Sequence, residues 1–93
     1  MNKDELKREV NKTIDNLASK IESMKARRDQ VETSMKTKYD KSLRAMESAK
    51  NDLETKYQEM ETNAELKWED VKHALKAAKV HFKEGVEELK SVF

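Results

Sequence analysis

Proline is absent from the 93 residues and glycine occurs once, at Gly85, so the residues that ordinarily end helices and turn hairpins are missing. Lys, Glu, Ala, Leu, Met and Arg fill most positions, and strand-like alternation never develops. The chain is therefore expected to be all-α. Asn2 followed by Glu5 suits a capping box, in which each side chain satisfies an unpaired amide of the first turn, and this predicts a helix beginning there.

With 42% charged and 35% apolar residues, periodicity decides between disorder and an ordered helix. One stripe runs from Leu6 and Val10 through Met24, Arg28, Val31, Met35, Tyr39, Met46, Leu53, Tyr57, Met60, Trp68, Val71, Leu75 and Phe82 to Phe93. Its mean spacing, about 3.6 residues, is the turn of an undistorted α-helix. Met24, Met35, Met46, Tyr57 and Trp68 lie eleven apart, as do Ala49, Met60, Val71, Phe82 and Phe93. An eleven-residue repeat keeps an apolar group on nearly one side of a helix without a strong supercoil. These residues are read as a helix-pairing seam: Met24, Met35, Met46, Leu53, Tyr57, Met60, Trp68, Val71, Leu75 and Phe82.

A lone helix of this kind is marginal in water, so the seam must meet another helical surface. Burying each large side chain contributes roughly 1.5–3 kcal/mol, far above what surface ion pairs supply. Residues 1–46 carry 12 basic and 8 acidic side chains, and residues 47–93 carry 8 and 11. Antiparallel pairing sets these halves against each other, while parallel pairing opposes like charges. Between 68 and 93, Lys72, Lys76, Lys79, Lys83 and Lys90 follow one flank of the seam and favour a parallel neighbour instead. The expected architecture is one coiled-coil-like domain over residues 1–93 with antiparallel pairing, either a helical hairpin or an antiparallel dimer of rods. A bend is expected, if anywhere, near 48–52, where Asn51 and Glu54 could recap a helix, or near 62–65, with Thr62 and Glu65 in the same relation and Leu66 off the stripe.

The chain offers little for catalysis. Its formal net charge of +1 gives no global field for nucleic acid or an anionic membrane, and cysteine is absent. His73 and His81, with Asp70 and Glu84 three residues away, supply only half of the carboxylate and histidine set that a bundle metal site requires. The basic stretch at Lys25, Arg27 and Arg28, continued by Lys36, Lys38, Lys41 and Arg44, is spread around the helix and broken by Asp29, Glu32 and Asp40, unlike a phosphate-binding face. No nucleophile set and no glycine-rich phosphate loop is present. The expectation is a non-enzymatic protein without cofactor or metal that does not bind nucleic acid. No secretory signal and no membrane-length apolar run is seen, so a cytoplasmic location is expected.

"AELKWEDVKHALKAAKVHFKEGVEEL", residues 64–89, resembles the C-terminal part of small, charged bacterial coiled-coil proteins of unassigned function. There a Lys/Glu-rich helix leads to a Trp-x-x-Leu/Val-Lys element and an Ala-rich segment ending in an aromatic; Trp68, Val71, Lys72, Ala77, Ala78 and Phe82 are the matching positions. By period alone the repeats also look like those of apolipoproteins and desiccation-protective proteins. The leading expectation is a scaffold or spacer that pairs with a second copy, as an antiparallel dimer, or with another helical protein. The alternatives are a peripheral helix that binds a membrane surface through residues 66–93, and a stress-protective hydrophilic protein.

Overall fold

The computed structural model describes residues 2–62 and 64–92, with the side chains of 64–67, 89, 91 and 92 outside that description. Helix α1 covers Lys3–Arg27, α2 covers Thr33–Thr62 and α3 covers Ala64–Val92, with a short 3-10 turn at Arg28–Gln30. Consecutive helices pack antiparallel, so α1 and α3 run in the same direction. Lys25 of α1 reaches Glu47 of α2 at 3.6 Å, Lys38 of α2 reaches Glu88 of α3 at 3.5 Å, and Lys79 of α3 reaches Glu9 of α1 at 2.9 Å.

The first helix starts at the expected cap. Asn2 accepts a hydrogen bond from the Glu5 amide at 2.8 Å, and its side-chain NH2 donates to the Glu5 carboxylate at 3.3 Å. Asp4 and Glu5 in the first turn and Lys25 and Arg27 in the last complement the helix dipole. The helix ends without glycine: the Arg28 amide turns back to the Lys25 carbonyl, tightening the chain into the 3-10 turn, and Val31 then adopts an extended backbone.

Antiparallel pairing holds, but the chain folds back twice. As one rod it would be about 140 Å long and as a hairpin about 70 Å, whereas the longest dimension is 47 Å, close to the roughly 45 Å of a 30-residue helix. A two-helix hairpin covers only one line of each seam. A third helix closes the remaining side of the apolar stripe. The segment 48–52 does not bend and lies wholly within α2. Met46 and Leu53 flank it and are both fully buried, which fixes the helical register between them, and the ion pairs Lys50 to Glu54 and Lys56 to Asp52 support the same turns. At 62–65, α2 ends at Thr62 and α3 begins at Ala64; Asn63 and the side chains of Ala64, Glu65 and Leu66 are outside the described residues.

The core carries seven-residue spacings in every helix and eleven-residue spacings in α1, where Leu6 and Leu17, Val10 and Ile21, and Thr13 and Met24 are buried pairs. Val10, Leu17 and Met24 in α1, Tyr39, Met46, Leu53 and Met60 in α2, and Val71, Ala78 and Gly85 in α3 are all buried and spaced by seven. This is the coiled-coil spacing. The eleven-residue column is divided among the helices, with Met24 in α1, Met35, Met46 and Tyr57 in α2, and Trp68 in α3. Within α2 only Met46 of that column is fully buried, and Met35 and Tyr57 sit at the edge of the core. The stripe advances by about 3.6 residues per step from Leu6 to Met24 in α1 and by about 3.5 from Tyr39 to Met60 in α2, between the undistorted helix and the coiled coil.

Candidate interaction surface

Helix pairing is satisfied within the chain. Of the ten seam residues, Met24, Met46, Leu53, Met60, Val71 and Leu75 are buried, and Met35, Tyr57, Trp68 and Phe82 are partly buried and packed against them. Thr13, Ala74 and Gly85 are also buried and escaped the sequence reading, since a threonine, an alanine and a glycine carry almost no hydrophobic signal. Their signal is register: Thr13 follows Leu6 by seven and Gly85 follows Ala78 by seven. Gly85 is needed for close approach. A Cβ placed there would collide with Met46 Sδ and lie 3.1 Å from Met46 Cγ, so the glycine lets the methionine of α2 lie against the backbone of α3.

The α1 to α2 turn is fastened by two contacts. The Tyr39 hydroxyl, buried in α2, donates to the Met24 carbonyl at 2.7 Å near the end of α1. Arg28 forms a two-pronged pair with Asp40, Nε to Oδ1 at 2.7 Å and an NH2 group to Oδ2 at 2.8 Å. The Arg28 guanidinium hydrogen bond holds the Asp40 carboxyl below its usual range, and burial pushes the Tyr39 phenol up. Arg28, which spacing alone puts on the stripe, is exposed and acts as this clasp instead.

The apolar groups that remain accessible lie at the edges of the core. Burial pushes the Tyr57 phenol up, the neighbouring Glu61 carboxylate adds to that shift, and Asn11 of α1 opposes it. The Lys72 ammonium lies 5.1 Å from the Trp68 ring centroid, a cation–π arrangement. Phe82 lines a groove of about 230 Å³ with Glu9, Thr13 and Asn16. A second groove, about 330 Å³, has Leu6 and Leu75 beside Lys72, Lys76 and Lys79. Lys79 belongs to both, and its bond to Glu9 lowers that carboxyl's pKa. Val80, about half exposed, projects outward from α3.

His73 is exposed, and His81 Nδ1 lies 3.7 Å from Glu84 on the outer side of α3. Among the described residues no three histidine or acidic side chains converge on a point suited to a metal ion. Several of the basic residues are engaged locally: Lys25 with Glu47, Arg28 with Asp40 and Lys38 with Glu88. No described helix is long and apolar enough to cross a membrane. No protein-family model matches this chain, and no curated protein and no solved structure matches it either.

Proposed function

We propose that the protein is a non-enzymatic helical interaction module, a short scaffold or spacer that associates with a second copy of itself or with another helical protein. One observation carries the reading. Each helix carries a line of buried residues at the seven-residue interval by which helices pair, such as Tyr39, Met46, Leu53 and Met60 in α2, and Met35, Tyr57, Trp68 and Phe82 keep part of their apolar surface outside that core. The resemblance of residues 64–89 to small charged coiled-coil proteins points the same way. Light scattering over a concentration series tests the self-association arm. A mass rising from one chain to two is expected, and a single-chain mass at every concentration up to millimolar removes self-association.

Membrane-surface binding through residues 66–93 is favoured by the groove where Leu6 and Leu75 meet three lysines whose stems can lie along apolar surface. Val71, Leu75 and Ala78 are buried against the other helices, so lipid binding through that face requires the bundle to open. Flotation with anionic liposomes decides between the two. Failure of the parent protein to float removes the lipid reading, and unchanged flotation of Trp68→Ala with Phe82→Ala protein removes its assignment to the apolar face of residues 66–93.

A further inference from the structure

The connection between α1 and α2 is made of Arg28, Asp29, Gln30, Val31 and Glu32, without glycine or proline, and no described residue has a positive φ. Nothing covalent in this segment forbids a straight helix. The stripe also stays in phase across it: Met24, Arg28, Val31, Met35 and Tyr39 follow at intervals of four, three, four and four, so a helix running through 24–39 would carry them on one side. In the closed turn the same residues serve the one-chain core, Val31 buried and Met35 packed against it, so the phase suits both the turn and a straight helix.

What holds the turn closed is replaceable bonding. The Arg28 amide donates to Lys25, three residues back, which leaves the Met24 carbonyl without its helical donor, and the Tyr39 hydroxyl takes that place. In a continuous helix the Arg28 amide itself bonds the Met24 carbonyl. The Arg28 to Asp40 pair is likewise particular to the closed turn, because a straight helix would set the two residues about 18 Å apart along its axis.

We infer that the protein exchanges α1 between two copies: the turn at 28–32 straightens, α1 and α2 become one helix of about 90 Å, and α1 of each copy packs on α2 and α3 of the other. The exchange deepens the interaction reading above and rests on it, naming the partner as a second copy and the contact as the protein's own core. Every contact of α1 with α2 and α3 is remade between copies except the two at the turn itself, Tyr39 to Met24 and Arg28 to Asp40, which depend on the tightened backbone at Arg28. The charge complementarity carries over with it: Lys25 meets Glu47, and Glu9 meets Lys79, of the other chain. Tyr39 and Arg28 set the balance by stabilising the turn alone.

Because the chain has no cysteine, Glu9→Cys with Lys79→Cys provides a unique pair, one on α1 and one on α3, for a short bismaleimide. Sizing chromatography with light scattering first separates one-chain from two-chain species, and the cross-link is then read on a denaturing gel. The exchange predicts links between chains in the two-chain fraction and within a chain in the one-chain fraction. A two-chain species linked only within chains overturns the exchange and leaves the interaction reading standing. Absence of any two-chain species in this protein and in Arg28→Ala and Asp40→Asn protein overturns the exchange and self-association together. Each of those two exposed-side variants is expected to raise the dimerisation constant roughly tenfold, about threefold for the exposed pair lost from each of the two closed turns. Thr33→Pro is the opposing control. Thr33 opens α2, where proline fits the first helical position, but a proline in the interior of the straightened helix breaks it. That variant is expected to keep full helicity and to lose the exchanged species, and an unaltered dimer fraction in it overturns the inference.

Discussion

At the scale of single residues, the two most consequential positions are Gly85 and Tyr39. Replacing Gly85 by alanine gains about 0.5–1 kcal/mol of helix propensity and forces the fully buried Met46 to move, an overpacking cost of roughly 1–3 kcal/mol. The expected outcome of Gly85→Ala is a loss of about 1 kcal/mol in urea unfolding, and no further loss when it is made in Met46→Ala protein, which by itself is about 2–5 kcal/mol less stable than the parent. Tyr39→Phe leaves the Met24 carbonyl without its phenolic donor, and a loss of about 1–3 kcal/mol is expected. Burial raises the Tyr39 pKa in the folded state, so its stabilising contribution is complete below the ordinary tyrosine range and falls as pH rises through the folded value. Tyr39→Phe should therefore flatten the alkaline loss of stability in unfolding experiments above about pH 10. The burial of Tyr39 was legible from the stripe, whereas the role of Gly85 was not: a glycine reads as a helix breaker until the methionine opposite it is placed.

At the scale of elements, the start of α1 was legible from Asn2 and Glu5, because capping is local and needs no tertiary information. The end of α1 was not. Its stop is made by a tightened turn and by Tyr39 and Asp40, residues 15 and 12 positions downstream of their partners Met24 and Arg28. The available hint was Arg28, a charged residue on an otherwise apolar stripe. Asn51 and Glu54 gave the opposite error: a local capping pattern was overruled by the burial of Met46 and Leu53 on either side. The clasps between elements carry a pH signature. Asp40 and Glu9 are lowered in the folded state by Arg28 and Lys79, so the stability they add is present above the unfolded carboxylate range and is lost as pH falls through the lower folded values. Thermal melts between pH 7 and pH 2 should show less acid sensitivity in Asp40→Asn with Glu9→Gln protein than in the parent, the remaining carboxylates being unchanged.

At the scale of the whole molecule, antiparallel helical packing followed from the opposed charge halves and the apolar stripe, and three helices in place of two did not, because the stripe's phase survives the turn and so conceals it. Solution scattering should give a one-chain particle with a radius of gyration near 14.6 Å and a longest dimension near 47 Å before side chains and hydration are added. An odd number of antiparallel helices also sets Lys3 and Val92 at opposite ends of the bundle. Tension applied through those two residues draws α1 and α3 lengthwise past each other and past α2, loading the whole buried seam at once in shear. The same residues opened from one end, as in a two-helix hairpin, would peel apart a turn at a time.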